Sequence, residues 1–167
     1  MSGMRMEQLR MSENGNYVGD GRLSLDQLAS WAEDYSRSRP CDIYLGRRDD
    51  HQLERWYVIP RNDQFNVYIH RFLRSDDDRA PHDHVADNSS LLLRGQYREV
   101  TPDGSNIYQA GDWIHRRATD LHRVELVDGP TLSLFVIQRP ARIWGFQTPD
   151  GWEDFQTFYR KRGEYVR

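Results

Sequence analysis

From Cys41 to Gln147 the chain breaks into short runs rich in β-branched and aromatic residues, with Gly, Pro, Asn and Asp recurring between them. Runs this short suit strands, which alternate side chains between two faces and reverse at tight turns. The pattern predicts strands over 42–45, 54–59, 65–73, 90–100, 106–109, 112–115, 122–127, 131–138 and 142–147. Many are separated by turn sequences: Arg61-Asn62-Asp63, Pro102-Asp103-Gly104-Ser105, Ala110-Gly111-Asp112 and Asp128-Gly129-Pro130. So many short strands at this spacing predict an all-β sandwich or small barrel.

One helical signal precedes them. Ser24 stands at an N-cap position with Gln27 three places on, the pairing that satisfies orphan amides at a helix start. Leu25, Leu28, Trp31, Ala32 and Tyr35 then recur at spacings of three and four, giving an apolar stripe that ends before Pro40. The division expected is residues 1–40, a segment with one helix packed on the domain, and residues 41–167, the β domain. The tail over 151–167 mixes Trp152, Phe155, Phe158 and Tyr159 with charges and predicts a short helix or strap closing one side.

A chain of 167 residues fits one domain, long enough to bury about two-thirds of its unfolded surface without cross-links. The single cysteine, Cys41, has no intrachain partner, and no apolar run reaches the roughly 18 residues that span a bilayer. Met1 to Tyr17 carries Arg5 and Arg10 without a continuous hydrophobic stretch behind them, unlike a secretory signal. These features predict a cytoplasmic protein with no membrane partner. A net charge of −3 and a pI near 6.1 argue against a nucleic-acid partner, which calls for a basic excess. The pair Arg47-Arg48 is cancelled at once by Asp49-Asp50.

The chemistry-bearing feature is Pro81-His82-Asp83-His84, answered by His122 in Asp120-Leu121-His122-Arg123. Two residues apart on an extended segment, His82 and His84 project from the same face with Cα atoms roughly 6 to 7 Å apart. Their imidazoles can converge on one ion. A third nitrogen from a neighbouring strand completes a facial set and leaves the opposite side open, the layout of a catalytic metal site. His70, on the apolar run 67–72, is expected to be a satisfied core histidine, or to face the cavity. His51 has no such company, and His115, beside Arg116 and Arg117, is expected at the surface.

The spacing resembles the two cupin motifs. His82-x-His84, Asn88 and Gly95 match the first, with Asn88 where that motif usually has a glutamate. Gly111, Arg117, Thr119 and His122 match the second, with Arg117 and Thr119 replacing its customary proline and glycine, and Leu126 its asparagine. The runs 71–78, 81–84, 120–125 and 144–152 are also similar to a group of small bacterial and phage cupins, most without an assigned reaction. The resemblance implies a double-stranded β-helix (jelly-roll) fold and a metal held by His82, His84 and His122. Asn88 then offers a weak amide oxygen to the ion, hydrogen-bonds a bound water, or points away. Asp87 is the less suited neighbour, because a one-residue shift reverses the strand face unless a bulge intervenes. Cupins also commonly pair through a sheet edge, so a homodimer is implied.

Three neutral imidazoles leave a divalent ion its full charge, which favours anionic substrates. The set is similar to that of the thiol dioxygenases and some diketone-cleaving oxygenases among the cupins. That likeness implies a mononuclear oxygenase using Fe(II) and dioxygen on a small polar substrate that coordinates the ion. The alternatives are an isomerase, lyase or hydrolase using Zn, Ni or Mn as a Lewis acid, a non-catalytic small-molecule-binding cupin, and a metal-free epimerase. Tyr97, Arg94, Tyr68, Arg74 and Arg98 are candidate substrate contacts, since an arginine fork suits carboxylates and a tyrosine hydroxyl can donate. Tyr97 and Arg94 are the pair favoured for catalysis, although strict alternation lets both line the cavity only if a bulge intervenes. Trp144, Phe146 and Trp152 are expected in core or rim packing. Asp76-Asp77-Asp78 is expected to be a solvated loop, in a position that would also let it gate entry or repel anions.

Overall fold

The structure, a computed structural model, describes residues 23–47, 50–76 and 80–162. The readings made for Met1–Tyr17, Arg48, Asp49, Asp77, Asp78 and the end of the tail lie outside the described residues.

Helix α1 (Leu25–Arg37) forms as its sequence dictates. Ser24 Oγ accepts from the Gln27 amide and Gln27 Oε1 accepts from the Ser24 amide, so the capping box closes. Leu28, Ala29, Ala32 and Ser36 make up its buried face. That face lies on Trp56, Val67, Ile69, Leu91, Leu93, Leu132 and Leu134, where each fully buried large side chain contributes about 1.5–3 kcal/mol. Tyr35 fastens the helix further by donating to the Tyr57 carbonyl at 2.7 Å.

The strands beneath it are β1 (Ile43–Arg47), β2 (Asp50–Tyr57), β3 (Phe65–Phe72), β4 (Asn88–Arg94), β5 (Gln96–Thr101), β6 (Gly104–Gln109), β7 (Trp113–Arg116), β8 (Arg123–Leu126), β9 (Thr131–Gln138), β10 (Gly145–Thr148) and β11 (Gly151–Asp154), followed by helix α2 (Phe155–Lys161). A six-stranded antiparallel sheet has the order β1-β2-β3-β9-β4-β7, a three-stranded one β6-β5-β8, and β10-β11 is a hairpin. β9 sits between β3 and β4, although these are consecutive in sequence. Such crossing connections make a jelly-roll. The sheets stay separate rather than closing into one hydrogen-bonded cylinder, and Leu92 and Ile114 of the larger pack on Tyr97 and Val124 of the smaller.

Register sorts the larger sheet's side chains. Trp56, Ile69, Leu134 and Leu91 lie in one cross-strand row under α1, whereas Arg55, His70, Ser133 and Leu92 lie in the adjacent row facing the interior. The apolar outer row explains why β3, β4 and β9 look hydrophobic on both faces, as strands covered on both sides must.

The expected single strand over 90–100 is two strands. Gly95 separates β4 from β5 with φ +77°, a conformation L side chains rarely adopt, and a Cβ there would lie 2.8 Å from the Pro130 carbonyl oxygen. The expected strand over 142–147 shortens to Gly145–Thr148 and pairs with β11, which sequence reasoning placed in the tail. The strap is α2, whose Phe158 is buried against Ala80 and Phe146.

Candidate metal centre

His82 and His84 stand on a stretch pinned from both sides. His82 exchanges backbone hydrogen bonds with His122, at 2.9 and 3.0 Å, and bridges to Phe146 on its other flank. The His84 amide donates to the Ala118 carbonyl at 2.9 Å. Asp83, between them, is 3% exposed, accepts from the Gly145 amide (2.7 Å) and Trp152 Nε1 (2.9 Å), and forms an ion pair with Arg142 Nη1 at 2.6 Å. Alternation on an extended segment turns its neighbours the opposite way. The buried carboxylate thereby fixes the direction in which both imidazoles point.

The three rings meet. Ligating nitrogens of His82, His84 and His122 all lie within 4.8 Å of one another, and His84 Nε2 is 2.8 Å from His122 Nε2. Behind His122, Glu99 Oε1 accepts from its Nδ1 at 2.7 Å, so the His122 lone pair is carried by Nε2, directed toward the other two rings. Arg116 donates from Nε to the same Glu99 oxygen at 2.5 Å and from Nη2 to the Tyr97 hydroxyl at 3.1 Å. Glu99, Arg116 and His122 are all buried.

Burial keeps His84 and His122 in the ligating form. Burial holds His84 well below the usual imidazole range, helped by the positive fields of His122, His82 and Arg116; His122 is lowered by burial, His82 and Arg116. Neutral imidazoles are what a metal requires. Burial pushes the Tyr97 phenol up, so it stays protonated. Trp144 and Phe146 rings flank His82 at 6.1 and 6.0 Å and Phe135 flanks His84 at 6.2 Å, giving the centre apolar walls. Asp76 Oδ2 lies 3.8 Å from His82 Nδ1, anchored by Gln52 Nε2 and the Val124 amide.

Asn88 lies on the inner face of β4, opposite Arg116 of β7. Its Oδ1 is buried with no hydrogen-bond partner among the described residues. Convergent imidazoles with a carboxylate behind one of them are a donor set that fits one divalent ion. Asp87 is exposed and accepts from the Ala118 amide at 2.7 Å, leaving it a loop-pinning part.

The structure does not bring Arg94 to this site. A bulge between Leu92 and Arg94 turns Arg94 to the outer face, where it donates to Asp26 (2.8 Å) and Glu33 (3.2 Å) of α1. Arg98 pairs with Glu125, and Arg74 with Asp50. Tyr97 is inside, with its hydroxyl accepting from Arg116, the residue that also holds Glu99. His115 is exposed and bonded to Ser89. His51 stacks on Tyr44, and its Nδ1 lies 3.2 Å from Glu54. His70 is both buried and inward-facing, with its Nε2 accepting from Arg55. Sequence reasoning missed Glu99 and Asp83; the clue for Asp83 was a carboxylate flanked by two histidines.

No protein-family model and no curated protein matches the chain. Among solved structures, a DMSP lyase from Ruegeria pomeroyi DSS-3 aligns with TM-score 0.51 and 16% identity over 64% of this chain and 57% of that one. The chain thus spans just over half the length of that lyase. A cupin superfamily protein from Desulfitobacterium hafniense DCB-2 aligns with TM-score 0.48 and 15% identity over 78% of this chain and 99% of that one. A cupin-superfamily sugar phosphate isomerase from Silicibacter pomeroyi DSS-3 gives 0.47 and 18% over 77% and 90%. The likeness is one of fold. Among the described residues no helix is long and apolar enough to cross a membrane.

Proposed function

We propose, from the cupin fold of this chain, that it is a mononuclear metal-dependent enzyme using Fe(II) and dioxygen on a small polar substrate. The observation carrying the proposal is the convergence of three imidazoles within 4.8 Å, joined by no carboxylate among the described residues. Three neutral donors leave the ion's charge undiminished and part of its coordination sphere open to substrate. Bound there, iron would supply the redox chemistry.

The residues around it do the rest. Asp83 aims His82 and His84, and Glu99 fixes the tautomer of His122. Arg116 balances the Glu99 charge and is itself held by Tyr97. Asn88 Oδ1 offers the site one further acceptor, for the ion or for a substrate proton. Phe135, Trp144 and Phe146 restrict water. Cytoplasmic location and a homodimer remain part of this proposal.

Anaerobic reconstitution is expected to give about one Fe(II) per chain, reduced in His82→Ala, His84→Ala and His122→Ala. Undiminished iron in all three variants would overturn the reading. A second reading keeps the metal as a Lewis acid in a lyase or isomerase, and is favoured by the fold alignment to the DMSP lyase. Substrate turnover without oxygen uptake selects it.

A further inference from the structure

We infer that Cys41, His51 and Glu54 form a second metal site, for Zn²⁺ or another thiophilic divalent cation, on the outer side of the sheet where the chain enters β1. Among the described residues two groups of three such donors converge, and this is the one apart from the three histidines. One ligand atom from each of the three lies within 4.8 Å of the others. His51 Nδ1 and Glu54 Oε1 are 3.2 Å apart. Two light donors bound at zinc distances around a tetrahedral ion are about 3.3 Å apart, so this pair already stands at a ligating separation.

The register builds the group. Strict alternation would send His51 and Glu54 to opposite faces of β2. Between the pairs Leu45–Leu53 and Gly46–His51, however, β2 carries one residue more than β1, and this bulge turns His51 to the Glu54 side. Tyr44, opposite Glu54 on β1, stacks on the His51 ring at 4.1 Å and holds its plane. Arg71 Nη1 donates to Glu54 Oε2 at 3.4 Å, and its Nη2 donates to Ser36 Oγ of α1 at 2.6 Å. Oε1 is thereby left to the site, with a fixed donor behind the carboxylate, as the outer partners of metal ligands are. Cys41 is half-buried against the apolar cluster beneath α1. The residue after it is tied to β2 twice: the Asp42 amide donates to the Arg55 carbonyl at 2.9 Å, and Asp42 Oδ2 accepts from the Tyr57 amide at 2.8 Å. Each donor is thus held by something other than the ion.

A nucleophilic thiol does not suit this group. Burial and the Glu54 charge push the Cys41 thiol up, whereas a reactive cysteine needs the opposite shift. A divalent ion fits, because it displaces the thiol proton and meets two negative donors that cancel its charge. Sulfur with an imidazole and a carboxylate selects Zn²⁺ over Mg²⁺ and Ca²⁺, which take oxygen sets, and over Fe(II), which stands lower in the affinity order. The His51 and Glu54 side chains are 22% and 20% exposed, which leaves the fourth zinc position to water. Since the thiol has to lose a proton and the donors are part-exposed, the buried histidine centre fills first and this site second. The ion ties the segment between α1 and β1 to β2.

The test titrates Co²⁺ into the reduced, metal-free full chain and follows thiolate-to-cobalt absorption in the near ultraviolet. The first equivalent is expected to give no such band, and the second a band that saturates at one thiolate per chain. Cys41→Ser should abolish the band and keep the first equivalent. His51→Ala and the isosteric Glu54→Gln should each weaken the second step by about 10-fold or more. Zn²⁺ should also protect Cys41 from alkylation in the wild type and not in His51→Ala. A thiolate band arriving with the first equivalent, and lost in Cys41→Ser, supports this site and rejects only the three-histidine reading. No thiolate band at saturating Co²⁺ would overturn the inference, as would a second step within about twofold of the wild type in both His51→Ala and Glu54→Gln. So would a change of mass in sedimentation between the first and second equivalents, which would make Cys41 a bridge between chains.

Discussion

Replacing Glu99 by glutamine changes one buried charge and little shape, and it should separate stability from metal binding. Glu99 Oε1 accepts from Arg116 Nε at 2.5 Å and from His122 Nδ1 at 2.7 Å, all three residues being buried. Glutamine leaves Arg116 a buried cation without a carboxylate, a loss of about 3–5 kcal/mol for breaking such a pair from one side. For a domain of this size each kcal/mol moves Tm by about 2–4 °C, so the metal-free Glu99→Gln protein should melt roughly 6–20 °C lower. The second effect is on the ion. Losing the carboxylate behind a ligating histidine lowers metal affinity about 10-fold to 100-fold, or about 1.4–2.8 kcal/mol. Competition against a chromophoric zinc chelator, at a temperature where both proteins are folded, measures it. Adding Arg116→Met removes the stranded cation and should restore part of the Tm but none of the affinity. Zinc affinity in folded Glu99→Gln within about twofold of the wild type would refute the role given to Glu99.

Three further outcomes follow from the same structure. His70, His84 and His122 are held below the ordinary imidazole range by burial, so the unfolded chain binds more protons below about pH 6.5. Stability of the metal-free protein is therefore full above that pH and falls as the solution is acidified. The slope is at most about 4 kcal/mol per pH unit for three groups. Urea midpoints flat between pH 7.5 and 5 would contradict it. Gly95→Ala puts a Cβ 2.8 Å from the Pro130 carbonyl at φ +77° and should cost about 2 kcal/mol or more by chemical denaturation. Asp83→Ala strips the bonds to Gly145, Trp152 and Arg142, and should lower metal occupancy with His82 and His84 still present, as elemental analysis would show.

Local signals survived into the structure because local chemistry sets them. The Ser24/Gln27 box starts α1, and the close pair His82 and His84 needs only an extended backbone to share a face. Gly95 was visible, but an alternating pattern across it looked continuous, and only the close approach of Pro130 shows why the chain must break there. The same region misplaced Arg94, since the bulge that turns it to α1 is fixed by pairing with β9. Glu99 sat unnoticed between Arg98 and Val100 on an ordinary polar strand. Its partners Arg116 and His122 are 17 and 23 residues away; the packing of two sheets brings Arg116 to it, and the β5–β8 pairing brings His122. Arg55 and His70 become neighbours only through the β2–β3 register. The Pro149-Asp150-Gly151 turn was a hairpin signal in plain view, and its flanks pair as β10 and β11.

The central claim is that His82, His84 and His122 bind one ion together. X-ray absorption at the metal edge, on protein carrying one equivalent of Zn²⁺, tests it most directly. The account predicts three imidazole nitrogens at about 2.0–2.1 Å, with the remaining donors light atoms, and loss of that signature when any one of the three histidines becomes alanine. Fewer than three imidazoles in the wild type, or a spectrum unaltered by removing His122, would contradict it.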